Sequence, residues 1–177
     1  MSALPRPGLD EYDDYYVRYV ELVPEGDIVD TLSTQLGETL ALLQAVPADQ
    51  ETYRYAPDKW SIREVIGHLI DVERMFAFRA MNMARADGVK LPGMDPDGWA
   101  KHSNADQRSL DDLAAEWGAL RRANVHLFAS MGPESGARKG VASGRDFTVR
   151  TFPWLIVGHE IWHRECLKRD YGVSATD

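Results

Sequence analysis

Residues 61–76 read Ser-Ile-Arg-Glu-Val-Ile-Gly-His-Leu-Ile-Asp-Val-Glu-Arg-Met-Phe, and this stretch decides the fold. Ser61 followed three residues later by Glu64 is a capping box, in which each side chain satisfies a free backbone N–H at a helix start. From there Val65, Leu69, Val72, Phe76 and Met83 recur at helical spacing, and Gly88 is placed to end the helix as its C′ residue. Within that apolar stripe, between Val65 and Val72, stands His68. Burying an imidazole costs roughly 1–3 kcal/mol if its ring nitrogens find no partner. His68 therefore needs one.

Working outward, three more stripes of the same period appear. One opens at the N-cap residue Asp27 and carries Leu32, Leu36, Leu40 and Leu43 as far as Pro47. Another starts near Ser109, ahead of Asp112, and places Leu113, Trp117, Leu120, Leu127 and Phe128 before Gly132. The last runs from about Thr151 to Tyr171, with Pro153 tolerated in its first turn and Gly172 closing it. Four amphipathic helices of about 20 residues predict an all-α four-helix bundle, because each must hide one stripe against its neighbours. Two long linkers separate them. Residues 88–108, with Pro92, Gly93, Pro96 and Gly98, are not expected to continue a helix, and residues 132–150 suggest a hairpin through Val141 and Phe147. In the N-terminal arm, Tyr12, Tyr15, Tyr16 and Tyr19 fall on one face of a short helix expected to dock on the bundle. The division predicted is an acidic, Tyr-rich arm over 1–26, the bundle over 27–172 and a tail over 173–177.

The 177 residues are 44% hydrophobic and 27% charged, the composition of one folded domain. A net charge of −8 argues against a general nucleic-acid binder. Residues 1–30 hold eight acids against Arg6 and Arg18, while Arg138, Lys139, Arg145 and Arg150 make residues 138–150 locally basic. A lone cysteine, Cys166, excludes an intrachain disulfide and gives no sign of an oxidising compartment. No apolar run approaches the ~18 residues that span a membrane. The expectation is a cytoplasmic protein with no membrane and no nucleic-acid partner. Neither a P-loop nor a dinucleotide fingerprint occurs.

The chemistry lies in the histidines. His159 and His163 are i, i+4 on the last helix, so both rings reach one point, and apolar Leu155, Ile156 and Leu167 flank them. Together with His68, three inward imidazoles call for a divalent metal, for which three histidines leave open positions. Zinc is the first expectation and nickel the second, since neutral imidazoles suit several metals. His68 and His159 lie at similar depths in their helices, which puts them at one level if those helices run the same way; the linker permits either direction. His159-Glu160-Ile161-Trp162-His163 also matches the zinc-protease pattern H-E-x-x-H, but too little chain follows His163 for the usual downstream ligand. Glu160 and Asp71 are the candidate catalytic bases, and Arg138, Lys139 and Arg145 the candidate holders of an anionic cosubstrate. His102 reads as solvated, His126 as marginal to its stripe, and Cys166 as a small packed hydrophobe.

The stretch Tyr55-Ala-Pro-Asp-Lys-Trp-Ser-Ile-Arg-Glu-Val-Ile-Gly-His68, with Phe147-Thr-Val-Arg and Gly158-His-Glu-Ile-Trp-His163, resembles the DinB/YfiT-like metalloenzyme superfamily. The resemblance covers most of residues 27–171. It implies a four-helix bundle, often a homodimer, binding zinc or nickel through His68, His159 and His163. It also implies activities ranging from thiol-dependent S-transfer and isomerisation to metal-dependent hydrolysis. The leading expectation is an S-transferase in which the metal binds a low-molecular-weight thiol and presents it to a small-molecule electrophile. The alternatives are a hydrolase activating water and a non-catalytic, metal-stabilised binding protein.

Overall fold

Three of the four long helices begin at a capping side chain. In the computed structural model, which describes residues 4–174, Asp27 accepts hydrogen bonds from the amides of Val29 and Asp30 and starts α2 (Ile28–Gln44). Residues 1–3 of the arm and 175–177 of the expected tail lie outside the described residues. Ser61 and Glu64 form the complete capping box of α3 (Ile62–Arg85), and Ser109 accepts from the Asp112 amide to start α5 (Leu110–Ala129). The last helix, α7 (Thr151–Tyr171), closes on Gly172 at φ +69°, whose neighbour Val173 returns its amide to the Leu167 carbonyl. Three short helices complete the set: α1 (Val17–Val20), α4 (Pro96–His102) and α6 (Pro133–Gly136). Gly88 does take a positive φ, but two residues beyond the extended cap residue Ala86 and so past the C′ position.

Side-chain pairs fix the helix directions. Tyr171 Oη donates to the Trp60 carbonyl at 2.7 Å, joining the end of α7 to the start of α3, so these two run antiparallel. His68 and the α7 histidines are therefore level because His163 lies about two turns from the end of α7 and His68 about two turns from the start of α3, not because the helices share a direction. Gln35 meets the Val157 carbonyl at 3.0 Å and Thr39 meets Glu160 at 2.6 Å, making α2 and α7 parallel. Ser61 meets Asp106 just ahead of α5, and Arg74 meets Glu116, making α3 and α5 parallel. The order is up, down, down, up. Parallel neighbours need a crossover, which accounts for the length of the α3–α5 connection.

That connection, which does not continue α3, contains the separate helix α4, because Pro96 sits in its first turn, where a proline costs no hydrogen bond. A third long connection, residues 45–61, joins α2 to α3 in addition to the two expected. The expected hairpin forms from β2 (Lys139–Ala142) and β3 (Arg145–Thr148), with Val141 opposite Asp146 and Gly140 opposite Phe147. Ser143 and Gly144, both at positive φ, supply its tight turn. Strand β1 (Lys90–Leu91) adds in parallel to β2, so the helical bundle carries a small three-stranded sheet.

The interior has two apolar clusters. One joins Leu4, Tyr12, Val20 and Val23 of the arm to Phe76, Phe147, Phe152 and Trp154. The other joins Leu36, Ile66, Leu113 and Trp117 at the opposite end of the bundle. Between them lies a buried polar layer of Gln35, Thr39, Glu73, Arg121, Asn124 and Glu160. The three histidines occupy this same level.

Candidate metal centre

Helix α3 brings His68 and α7 brings His159 and His163 to one point. Nε2 of His68 and Nε2 of His159 are 3.2 Å apart, and one ring nitrogen from each of the three lies within 4.8 Å of the others. A tetrahedral ion with metal–nitrogen bonds near 2.0–2.1 Å needs its ligand atoms about 3.3 Å apart. One pair is already at that spacing, and the third ring has only to close in.

The donor set also has the required charge state. Burial, with the adjacent His163, holds His68 down at about 3, and burial alone lowers His163 to about 4. Burial, followed by the two neighbouring rings and Arg18, pushes His159 well below the ordinary histidine value. All three are neutral at physiological pH, so each offers a lone pair rather than a proton. Trp60 packs on His68 with ring centroids 4.6 Å apart, and Tyr19 meets His159 edge-on at 5.3 Å. These residues fit a divalent ion.

The cluster opens into a cleft of about 490 Å³. One wall is the arm, through Tyr15, Tyr16, Arg18 and Tyr19; the other is α3, through Val72, Met75, Phe76 and Arg79; Trp60 and Trp162 flank the histidines. Arg145 and Ser143 reach the rim from the hairpin. Arginine supplies all the formal charge here, and no carboxylate of the described residues lines the cleft. The Tyr stripe thus has two faces. Tyr12 is buried in the core contact, Tyr19 is buried yet lines the cleft beside His159, and Tyr15 stands half exposed at the cleft.

The other candidate residues separate. Glu160 is 1% exposed and both its oxygens are engaged, Oε1 with Thr39 at 2.6 Å and Oε2 with Arg121 at 2.7 Å. Asp71 lies outside the cleft lining, 3.6 Å from Arg74, and burial raises its carboxyl above the usual range. Arg138 donates to the Ala84 carbonyl at 2.7 Å, and Lys139 is exposed on β2; neither reaches the cleft, so Arg145 alone of that trio lines it. His102 donates from Nδ1 to the Gly98 carbonyl on the surface, His126 is exposed on α5, and burial raises the Cys166 thiol away from reactivity. Trp60, Tyr16, Tyr19, Arg18 and Arg79 were not among the site candidates. Tyr16 and Tyr19 carried the spacing of the Tyr stripe, which pointed to docking rather than to a site, and Arg79 lies eleven residues from His68, three helical turns on one face.

A bundle with this helix order, and with three neutral histidines converging in its core beneath an open cleft, defines a class of helical proteins built to hold a metal ion. The chain belongs to the DinB superfamily, whose sequence profile matches residues 31–167 and so spans all three histidines. Its fold is similar to that of YfiT from Bacillus subtilis, described as a probable metal-dependent hydrolase with an unusual four-helix bundle topology. That structure superposes with a TM-score of 0.68 at 15% identity, covering 96% of this chain and 95% of the other. No curated protein matches the sequence. Among the described residues, no helix is long and apolar enough to cross a membrane.

Proposed function

We propose that this protein is a divalent-metal-dependent S-transferase that draws its nucleophile from a low-molecular-weight thiol. The observation that carries the reading is the cleft itself: three neutral imidazoles at its floor and arginine around it, with neither a cysteine nor a carboxylate of the described residues in its lining. Such a site has no nucleophilic sulfur and no free general base of its own. Bound at the three histidines, zinc or nickel supplies the positive charge that lowers the pKa of an incoming thiol. The thiol proton leaves to solvent, the sulfur forms a bond to an electrophilic carbon, and the leaving group departs with the electrons of the bond it breaks. Trp60 and Tyr19 hold the imidazole planes, and the aromatic walls offer an apolar surface for the electrophile. Glu160 anchors α7 through Thr39 and Arg121 and takes no proton from the substrate.

Metal analysis of the purified protein beside His68→Ala and His163→Ala tests the site. Near-stoichiometric metal is expected in the wild type and at least a tenfold loss in the variants. Incubation with cellular thiols and a model electrophile, against ester hydrolysis without thiol, tests the reaction. Thiol-independent ester turnover that needs the metal would replace S-transfer by hydrolysis, the second reading, which the description of YfiT favours.

A further inference from the structure

Among the described residues two arginines are deeply buried, and their surroundings differ. Arg121, 2% exposed, is met by two carboxylates: Glu73 holds its Nε at 2.8 Å and its Nη2 at 2.7 Å, and Glu160 also holds Nη2 at 2.7 Å. Arg79, equally buried at 2%, lines the cleft and meets no carboxylate of the described residues. Its Nη2 donates to the Pro92 carbonyl and the Ser143 hydroxyl, both at 2.9 Å, and the Tyr16 hydroxyl stands beside it. Neutral oxygens satisfy part of a guanidinium's donors but none of its charge. Removing a cation from water without an opposite charge is costly, and folded proteins keep such groups where a partner arrives.

We infer that Arg79, with Ser143 and Tyr16 beside it, is the subsite for a carboxylate on an elongated small-molecule substrate whose other end reaches the three histidines. The inference deepens the proposed function and rests on its reading of the cleft as the substrate site, but not on the metal or the reaction. Its geometry follows from α3. His68 and Arg79 share a face three turns apart, about 16 Å along the axis. Both side chains lean toward the helix N-terminus, and the longer arginine reaches farther back than the imidazole, so its head group comes nearer to His68 than the axial spacing of the two residues. The span left between guanidinium and imidazoles is on the order of 10 Å. A carboxylate on a short acid cannot bridge that distance, whereas one on a chain of about six carbons can. The stretch between is walled by Val72, Met75 and Phe76, which suits an apolar spacer. Burial lowers the Arg79 pKa from the ordinary arginine value, the direction expected of a buried cation that lacks a counter-charge. A planar guanidinium pairs with carboxylate through two parallel hydrogen bonds, which gives such a site direction as well as charge.

Calorimetric titration of the metal-loaded protein with mercaptohexanoate, mercaptohexanol and hexanoate tests this. In the wild type, mercaptohexanoate is expected to bind at least tenfold more tightly than mercaptohexanol, which differs only in lacking the carboxylate. Arg79→Met should abolish that discrimination, Arg79→Lys should restore part of it, and metal content should stay the same in both. Equal affinity for the two thiols in the wild type overturns the proposal, and that comparison stands even if Arg79→Met does not fold. Discrimination that survives in a folded Arg79→Met also overturns it and moves the charge recognition to Arg18 or Arg145. Hexanoate binding to metal-free protein separates the two readings. If it persists and depends on Arg79 while no thiol transfer is found, the carboxylate subsite stands and the S-transferase reading falls.

Discussion

Gly158 precedes His159 and lies under the backbone of the arm. A Cβ built there would stand 2.1 Å from the Tyr19 carbonyl oxygen, a distance no relaxed contact allows, so the arm and α7 touch only because this residue is glycine. Gly158→Ala is expected to lift the arm, with overpacking that costs about 1–3 kcal/mol in urea unfolding. It should also change tryptophan emission, since Tyr19 sits edge-on to Trp162 at 5.8 Å. Unaltered emission and stability would show that the arm yields without consequence. At this scale the three histidines were legible, because two share an i, i+4 spacing and the third stands in an apolar stripe. Tyr19 and Trp60 were not, since neither spacing nor polarity reveals which ring will cross which helix. Arg79 was legible in principle, but an arginine on an apolar face reads as a solvated end until its burial is seen.

Among the elements, one ion network joins all four long helices. Arg121 of α5 binds Glu73 of α3 and Glu160 of α7 and donates to the Leu32 carbonyl of α2 at 3.2 Å, while Thr39 of α2 holds the far side of Glu160. Trp117 Nε1 and Asn124 also donate to Glu73, at 2.7 and 3.1 Å. Arg121→Met keeps the volume but leaves two carboxylates buried without their cation, and should cost about 3–5 kcal/mol in chemical denaturation. A loss below about 1 kcal/mol would mean that the carboxylates simply take up protons. The helices themselves were legible from their caps, Asp27, Ser61 and Ser109. Their connections were less so. Pro96 reads as a breaker within residues 88–108 yet begins α4, because a proline's meaning depends on whether it falls at the first turn or later. Helix directions depend on side chains far apart in sequence, such as Tyr171 and Trp60, and no local pattern records them.

For the molecule as a whole, the uneven charge seen in the composition resolves into a clasp. Glu11 of the arm binds Arg150 and the Thr148 hydroxyl, and Asp13 binds Arg145, so acids of the arm neutralise bases of the hairpin and of the start of α7. Despite its burial, the hydrogen bonds from Arg150 and Thr148 hold the Glu11 carboxyl at about 2, below the ordinary 4.5. Because the folded value is the lower one, the stabilisation is complete above about pH 4.5 and fades as pH falls toward 2. Glu11→Gln should therefore lower stability near pH 7 by about 2–3 kcal/mol. Melting curves of the two proteins should converge as pH drops below about 4; a constant gap across that range would assign the loss to packing. The same clasp sets how a ligand is held. One cleft wall is arm and the other is bundle, and the arm is held to the bundle by the core contacts of Leu4, Tyr12, Val20 and Val23 as well as by the clasp, so any opening of the cleft must loosen both. A molecule bound between the walls closes that opening, so occupancy and arm order are one equilibrium. Amide hydrogen exchange over residues 15–23 should slow when mercaptohexanoate saturates the cleft, while exchange in α5, on the far side, stays unchanged. The protein would then report its own occupancy through its N-terminal segment, in solution and without any catalytic turnover.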